Sequence, residues 1–511
     1  MENYLLIRIF SSLILIGVVY FVTGILFESY KVKKKIQKQG IKGPSPSFLH
    51  GNLPEMQEIQ LLNAEKEISS ANVDDIVAQD YSSIIFPYFD HWRKQYGPVY
   101  TYSTGFKQHL YITDPEFVKE MNLCKTLDLG KPPYVTKRFA PLFGNGIIRS
   151  NGHFWALQRK IVAPEFFMVK VKSMVGSMVE STQALIKEWE QRIESEGGTE
   201  AEIRVDEDLK GLSANVIARA CFGTSYFKGE QIFSKLRFLH KALTKQGTLF
   251  GSTRFRKNYK EISRLEREIE NLIWETVEER QRQSSVEKDL MQLILEEAVN
   301  AGKLSPKQFI VDNCKSLYFA GHDTTAISAT WCLMLLALHP HWQSQIREEL
   351  SQFCNNGLLD ANSLSKLKTV TMVIQESLRL FPPTGFVVRE AFEEVQIGNI
   401  ITIPKGVCTW TLISTLHRDP DIWGEDANKF RPERFADGIS KACKFPQAYL
   451  PFGIGTRLCV GRNFAMVELK IVISLIVSKF TLSLSPNYIH SPTFRVLIEP
   501  KHGLQLLIQK I

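Results

Sequence analysis

The chain has 511 residues, 44% of them hydrophobic, and a formal net charge of +8 at pH 7. Residues 1–42 alone carry a net +5, which leaves only +3 for all the rest. A nucleic-acid-binding protein carries its basic excess on the folded domain, so this distribution argues against that class. No repeat at a fixed period and no low-complexity tract divides the chain, and eight cysteines without paired spacing are typical of a reducing compartment.

An uncharged apolar segment, Ile9 to Phe27, predicts a membrane-spanning helix. Its 19 residues approach the roughly 20 that cross a bilayer core. A cleaved signal peptide has a shorter apolar region, of about 7–15 residues, that ends at small residues. Here a glutamate and then six lysines follow instead, and by the positive-inside rule these lysines place the body of the protein in the cytosol. We therefore expect an N-terminal anchor over residues 1–30.

A short rigid segment that ends the helix, Gly43-Pro44-Ser45-Pro46, follows the lysines. Two prolines so close together cannot continue a helix. We therefore predict a basic, proline-rich hinge over residues 31–50. No linker interrupts the chain beyond it, so we expect one catalytic domain over residues 51–511.

A long apolar segment without proline, Phe309 to Leu338, predicts a buried helix. Its middle reads Ala-Gly-His-Asp-Thr-Thr over residues 320–325, and an unpaired carboxylate is costly to bury in such a helix. A solvent-facing polar stripe would be the ordinary interpretation, but the apolar flanks favour the lining of an internal cavity. We expect Thr324 to hydrogen-bond back to the carbonyl of Ala320.

A glycine-rich loop near the C-terminus, Pro451 to Arg462, contains a single cysteine, Cys459. Its three glycines let the backbone approach the sulfur, and the helical spacing of Asn463 to Phe480 puts a helix N-terminus nearby, which favours the ionised thiol. A zinc site would need grouped Cys or His, and covalent haem attachment would need Cys-x-x-Cys-His, and the chain has neither pattern. A lone thiolate held in this way fits an axial ligand of haem iron.

The loop resembles that of a known family. Phe452, Gly455, Arg457, Cys459 and Gly461 match the Phe-x-x-Gly-x-Arg-x-Cys-x-Gly motif of the cytochrome P450 superfamily. The resemblance continues in family order over nearly all of the chain beyond the anchor. It implies the haem-thiolate monooxygenase fold, mainly α with a smaller β region and preceded by one transmembrane helix, and it implies haem b, with Cys459 as the axial ligand of the iron.

The resemblance also implies roles for individual residues. Asp323 and Thr324 match the acid and alcohol that deliver protons to dioxygen in the family's oxygen-binding helix. The haem-binding positions that it implies are Trp155, Arg159, Arg389, Phe452, Arg457 and Cys459. A buried structural triad behind the cysteine loop is implied at Glu376, Arg379 and Arg434.

Membrane-bound members of the family share the proline-rich hinge and lie mostly in the endoplasmic reticulum. The resemblance therefore implies a single-pass protein of that membrane, with a cytosolic catalytic domain and electrons from NADPH through a flavoprotein reductase. Four basic residues flank the cysteine loop and form either a docking patch for that reductase or a plain solvated face: Lys441, Lys444, Arg462 and Lys470.

The expected substrate is lipophilic, because residues 383–388 supply mostly apolar surface. We expect the loop 138–150, the region around 225–255 and residues 319–324 to complete the pocket. Segments 89–97, 204–210 and 439–444 resemble the plant branch that includes gibberellin-oxidising and pentacyclic-triterpenoid-hydroxylating enzymes. The favoured reaction is hydroxylation or epoxidation of a gibberellin-type diterpenoid, with an oleanane- or ursane-type triterpenoid as the alternative.

Two remoter functions stay open at this stage. One is a haem-thiolate isomerase of hydroperoxides, and the other is a membrane-anchored haem sensor without turnover. The intact Asp323-Thr324 pair argues against both, because neither function needs residues that relay protons to dioxygen.

Overall fold

The computed structural model describes residues 2–64, 76–77, 80–223, 226–244, 259–282, 290–298, 305–354 and 359–511. This part of the chain is mainly helical with small sheets, which confirms the predicted fold class. The earlier helices are α1 Glu2–Gln37, α2 Leu53–Ala64, α3 Tyr81–Ile85, α4 Pro87–Tyr96, α5 Pro115–Leu123, α6 Pro133–Arg138, α7 Ala140–Phe143, α8 Gly152–Val162, α9 Met168–Ser173, α10 Val175–Ser195 and α11 Val205–Phe222. The later helices are α12 Tyr226–Thr244, α13 Tyr259–Arg282, α14 Leu290–Ala298, α15 Pro306–Leu338, α16 Pro340–Phe353, α17 Ser363–Lys366, α18 Lys368–Leu380, α19 Ile413–His417, α20 Pro420–Trp423 and α21 Arg462–Lys479.

The strands are short and form small sheets. They are β1 Val99–Thr104, β2 Lys107–Ile112, β3 Leu129–Gly130, β4 Glu200–Arg204, β5 Phe386–Ala391, β6 Val395–Ile397, β7 Ile401–Ile403, β8 Cys408–Leu412, β9 Phe480–Leu484, β10 Pro492–Arg495, β11 Leu497–Pro500 and β12 Gln505–Lys510. Among the described residues the sheets have the strand orders β1-β2-β8-β5-β3, β4-β12-β9, β10-β11 and β6-β7. The chain divides into two compact units.

The first unit comprises residues 1–66, 86–132 and 388–411 and is built around the five-stranded sheet. β1 and β2 form an antiparallel hairpin, and β2 pairs in parallel with β8. Most positions of these three strands are buried on both faces, which suits their β-branched and aromatic residues. The rings of Phe89 and Trp92, from α4, pack 5.8 and 5.5 Å from the ring of Tyr102.

The N-terminal helix α1 is longer than the predicted span. The part from Ile7 to Gln37 has a mean hydropathy of 2.4 in its most apolar window, and none of that window is buried. One helix of this length and composition fits a single-pass membrane anchor. Its C-terminal half contacts β2, because the Ser29 hydroxyl donates to the carbonyl of Phe106 at 2.8 Å and accepts from the Gln108 amide at 2.9 Å.

The hinge is attached to the same sheet. The N–H of Thr101, in β1, donates to the carbonyl of Lys42 at 2.9 Å. The Asn52 side chain donates to the carbonyl of Ser45 at 3.1 Å and accepts from the N–H of Ser103 at 3.0 Å. The segment that follows α1 is therefore bonded to β1 on both sides of its prolines.

The second unit comprises residues 67–85, 133–387 and 412–511 and is organised around α15. Pro306 occupies the first turn of this helix, and the Ser305 hydroxyl caps it by accepting the N–H of Gln308 at 3.2 Å. The helix is apolar all round and packs against α11, α18 and α21, which is why it is buried almost throughout. The indole of Trp331 donates to the carbonyl of Ile498 at 2.9 Å and so ties the helix to β11.

Candidate active site

The cysteine loop leads directly into α21. The N–H of Cys459 donates to the carbonyl of Phe452 at 2.9 Å, and the helix begins at Arg462. Gly453 and Gly455 have φ angles of 77° and 69°, a left-handed conformation that residues with a Cβ rarely adopt. Cys459 itself is exposed. The sequence therefore forms the predicted glycine-rich turn at a helix N-terminus, with its cysteine uncovered.

Two arginines and a tryptophan gather at this loop. Arg159 donates to the carbonyl of Leu458 at 2.8 Å, and the guanidinium of Arg457 lies 4.2 Å over the ring of Trp155. Trp155 and Arg159 come one turn apart on α8, and the Arg159 guanidinium lies 5.7 Å from the same ring. Burial lowers the pKa of Arg159, and the neighbouring Cys459 partly offsets that effect. The structure thus brings Trp155, Arg159 and Arg457 together around the loop of Cys459.

The start of α8 adds a residue that sequence reasoning missed. Asn151 precedes the helix and its side-chain oxygen accepts from Arg457 at 2.9 Å, while the carbonyl of Ser150 accepts from the same guanidinium at 3.1 Å. These two acceptors hold the guanidinium of Arg457 in place beside the indole of Trp155. No motif marks Asn151, so only the fold could reveal the contact.

A gap in burial marks the middle of α15. Every residue from Phe309 to Ala337 is buried except Ala320, Gly321 and Thr324, which share one face of the helix. The Thr324 hydroxyl donates to the carbonyl of Ala320 at 2.5 Å, which confirms the predicted bond. The half-buried positions Ala320 and Thr324, referred to below as the uncovered face of α15, carry a single hydroxyl, while Gly321 beside them packs against α11.

Gly321 has a packing role on the side of the helix that meets α11. A Cβ built at this position would lie 2.6 Å from Cδ1 and from Cγ1 of Ile217. Real carbon atoms do not approach so closely, so the two helices can pack at this distance only with glycine here. This close approach explains why glycine, which weakens a helix locally, occurs inside α15.

Asp323 lies behind the uncovered face, buried between two imidazoles. Nδ1 of His322 is 2.8 Å from one carboxylate oxygen, and Nδ1 of His240, from α12, is 3.6 Å from the other. Burial opposes ionisation of Asp323, but the two histidines outweigh it and hold the pKa of the carboxyl well below its usual range. The acid is therefore ionised and has a fixed orientation. Sequence reasoning missed His240, because it belongs to a distant helix and to no motif.

The predicted triad is present, with Glu376 and Arg379 fully buried and Arg434 half-buried. Glu376 and Arg379 form two parallel hydrogen bonds of 2.6 and 2.7 Å, and Arg434 lies 3.5 Å from the same carboxylate. A connection to the cysteine loop runs through His417, whose carbonyl accepts from Arg379 at 2.7 Å and whose Nε2 accepts the N–H of Leu450 at 3.0 Å. Burial lowers the pKa of His417 to about 3, so it stays neutral and can accept this bond.

Arg389 belongs to the other compact unit. It lies on β5, and its guanidinium donates to the carbonyl of Val388 at 2.9 Å. Burial lowers its pKa to about 10, so it remains cationic at neutral pH. Its contact with haem stays a prediction.

The donor set fits haem better than a bare ion. Within the described ranges, no group of three or more His, Cys, Asp or Glu side chains could hold a metal. One uncovered thiol with two guanidiniums beside it instead suits a group that brings its own four nitrogen ligands and its own carboxylates. The cysteine loop supplies the thiol, and the uncovered face is the least buried part of α15 between Phe309 and Ala337.

Comparison with known proteins agrees with this chemistry, because residues 76–507 match the family described as "Cytochrome P450". The chain belongs to the cytochrome P450 family. The Arabidopsis thaliana protein Cytochrome P450 714A2 is 53% identical over 497 residues, which cover 94% of each chain. Cytochrome P450 714C2 of Oryza sativa subsp. japonica is 47% identical over 515 residues, which cover 99% of this chain and 98% of that one.

Solved P450 structures share the fold at lower identity. The retinoic acid-bound cyanobacterial CYP120A1 has a TM-score of 0.74 at 22% identity and matches 92% of this chain and 99% of its own. P450 enzymes carry haem with thiolate ligation of the iron. This P450 is therefore a haem-thiolate monooxygenase, an oxidoreductase, and its plant relatives agree with the predicted plant branch.

Proposed function

We propose that Cys459 is the axial thiolate of the haem iron. The gathering of the predicted cofactor residues around its loop carries this proposal. The other residues that we propose would hold the haem are Trp155, Arg159, Arg389 and Arg457, toward its propionates, and Phe452. The helix N-terminus that follows the loop supports the ionised sulfur.

Bound haem supplies the reductive activation of dioxygen, which puts one oxygen atom into the substrate and releases the other as water. This reaction consumes two protons, which must cross an apolar interior. Thr324 presents the hydroxyl on the uncovered face of α15, and because that hydroxyl donates to Ala320, its oxygen is free to accept a hydrogen bond from the cavity. Asp323, one residue before Thr324, holds an ionised carboxylate. This carboxylate accepts a proton from the protein side and passes it toward the Thr324 hydroxyl. These two are the proposed catalytic residues.

The proposed location is the endoplasmic reticulum membrane, with a single-pass anchor and a cytosolic body. The lysines that follow the apolar part of α1 support this orientation. We assign residues 1–30 to the anchor, 31–50 to the hinge and 51–511 to the haem-thiolate domain.

Electrons are proposed to come from NADPH through a flavoprotein reductase that docks near the cysteine loop. Exposed Arg462 and Lys444 support such a patch. Lys470 does not belong to it, because its ammonium is half-buried and donates to the carbonyl of Leu364 at 3.1 Å. Lys441 is exposed but lies 3.7 Å from Asp437, which weakens its contribution.

The proposed substrate is a gibberellin-type diterpenoid, which the enzyme hydroxylates or epoxidises. Aromatic pairs support a rigid apolar substrate: the rings of Phe143 and Phe319 lie 5.0 Å apart, and those of Phe386 and Phe494 lie 5.2 Å apart. Aromatic side chains lose little freedom on binding and suit the flat faces of a fused-ring compound. Of the predicted pocket region 225–255, residues 225 and 245–255 lie outside the described residues.

The substrate proposal is tested by oxygen- and NADPH-dependent turnover in microsomes supplemented with reductase. Gibberellins and pentacyclic triterpenoid acids are offered side by side, with Cys459→Ser as the inactive control. We expect an oxidised gibberellin that the control does not form. Oxidation of the triterpenoids alone would overturn the diterpenoid proposal in favour of the alternative, and turnover of a fatty-acid hydroperoxide without reductase would favour an isomerase.

A further inference from the structure

His240 connects three elements of the second unit. From α12 it reaches Asp323 on α15 through Nδ1, at 3.6 Å, and the carbonyl of Arg495 on β10 through Nε2, at 2.7 Å. Its ring also packs edge-on against Phe319, with the centroids 5.4 Å apart. The side chain is largely buried, with 12% of its surface exposed.

Both ring nitrogens of His240 face acceptors, a carbonyl and a carboxylate. A neutral imidazole has one N–H and can satisfy only one of them, whereas an imidazolium satisfies both. Glu499 on β11 adds negative charge nearby. Burial disfavours the charged ring, but these three groups outweigh it and raise the pKa of His240. The geometry therefore describes a buried ion pair between His240 and Asp323.

We propose that His240 is a positioning residue for the monooxygenase reaction, which holds the Asp323 carboxylate in the orientation needed for proton delivery. The inference rests on the proton-delivery role proposed for Asp323. His322 holds one carboxylate oxygen at 2.8 Å, and its own Nε2 has no hydrogen-bond partner among the described residues, so no hydrogen bond ties its ring to another element. Among the described residues, His240 is the side chain that links the second oxygen to β10.

Without His240, the carboxylate would be held from one side alone and could rotate about its side-chain bonds. A rotated or protonated Asp323 would deliver protons at the wrong place, and electrons would be lost to peroxide instead of product. The loss would appear in the ratio of product formed to NADPH consumed. Since His240 also packs against Phe319, this ratio, and not KM, is the quantity that reports on the carboxylate.

The functional test compares His240→Gln with wild-type holoenzyme, and His502→Gln serves as the matched control. Gln keeps a donor of similar reach but carries no charge, and His502 is an exposed histidine outside the predicted pocket segments. We expect about a tenfold fall in product per NADPH, since general acid–base groups contribute about 10²- to 10⁴-fold and His240 controls part of that effect. An unchanged ratio in His240→Gln would overturn the proposal.

The ion pair itself is tested without turnover, by the thermal unfolding of the holoprotein. His240→Gln should lower the midpoint in the wild-type background and should have little effect in the Asp323→Asn background. Additive shifts in the double variant would overturn the pairing. The ratio of product to NADPH in Asp323→Asn separates the two claims. If Asp323→Asn forms as much product per NADPH as the wild type, the role proposed for Asp323 is wrong. If Asp323→Asn forms less product per NADPH while His240→Gln does not, only the role proposed for His240 is wrong.

Discussion

At the scale of single residues, exposure separates Cys459 from most of the other described cysteines. Cys314, Cys332 and Cys408 are buried, and burial raises the pKa of the Cys332 thiol to about 12, so that thiol stays neutral. Cys459 is uncovered, lies beside two arginines and precedes a helix. The sequence motif predicted this residue because the whole signal lies within one short loop. His240 and Asn151 could not be predicted, because only tertiary packing brings them to their partners.

The Thr324 hydroxyl is expected to affect coupling and not folding. In Thr324→Ala the product formed per NADPH should fall about tenfold, within the range for general acid–base groups. Folding should change little, because among the described residues the hydroxyl bonds to the carbonyl of Ala320, in its own helix, and to no other group. Thr330→Ala is the matched control, since Thr330 makes the same bond, to Ala326, on a buried part of α15. Equal coupling in both variants would contradict the role of Thr324.

Glu468 on α21 predicts a pH-dependent effect on stability. It is fully buried, it accepts from Ser213 at 2.8 Å, and burial raises its pKa to about 8. The folded protein therefore keeps this proton up to about pH 8, whereas the unfolded chain releases it near pH 4.5. The native state binds more protons between these values, so Glu468 lowers stability increasingly as the pH rises through this window.

Glu468→Gln should remove that loss. The unfolding midpoint of Glu468→Gln should rise relative to that of the wild type as the pH increases from about 5 to about 8. The difference in the free energy of unfolding should be about 1.4 kcal/mol for each unit by which burial raises the pKa of Glu468. Exposed Glu348→Gln serves as the control and should give a constant difference. A gain from Glu468→Gln that does not depend on pH would show that the carboxyl is already ionised in the folded protein.

At the scale of elements, the central helix shows what the pattern could predict and what it could not. Its apolar length predicted a buried helix over 309–338, and the structure has Pro306–Leu338. The polar cluster was expected to line a cavity, yet only Thr324 lies on the uncovered face, while Asp323 is buried against His240. The sequence alone does not show which side of a helix meets which neighbour, because that depends on the crossing of α11 and α12.

The close contact between α11 and α15 predicts the effect of two glycine substitutions. Gly321→Ala should destabilise the protein by about 1–3 kcal/mol, because the new methyl group meets Ile217 at 2.6 Å. Gly211→Ala, inside α11 with open space at its Cβ, should instead stabilise the protein by up to about 1 kcal/mol. Thermal unfolding of the holoprotein measures both. Combining Gly321→Ala with Ile217→Ala, which removes both Cγ1 and Cδ1, should cost less than the sum of the two single losses, and additive losses would contradict the steric explanation.

At the scale of the whole molecule, composition predicted most of the organisation. The apolar segment and the lysines identified the anchor, and the motifs identified the family over almost the full length of the chain. The length of α1 could not be predicted, because its polar C-terminal turns are not part of the apolar span and instead contact β2. The substrate is the least predictable feature, since a few pocket side chains decide between terpenoids of similar shape.

Removal of residues 2–30 should release the protein from the membrane. The remaining chain keeps the basic hinge but loses the apolar span and the two hydrogen bonds of Ser29. Its haem domain should still fold, because none of the most apolar window of the span is buried. Sedimentation of microsomes, with the carbon monoxide spectrum as the check on folding, measures this outcome. An unrelated single-span anchor in place of residues 2–30 should restore sedimentation. Full retention of the truncated protein in the membrane would contradict the assignment of α1 as the main anchor.

The most direct test of the central claim is the carbon monoxide spectrum of the reduced protein with Cys459→Ser. The matched control is Cys443→Ser, a half-buried cysteine close in sequence to the loop. We predict a thiolate-type spectrum in wild type and in Cys443→Ser, and its complete loss in Cys459→Ser protein that remains folded. A thiolate-type spectrum in Cys459→Ser would contradict the account, because another residue would then have to hold the haem iron.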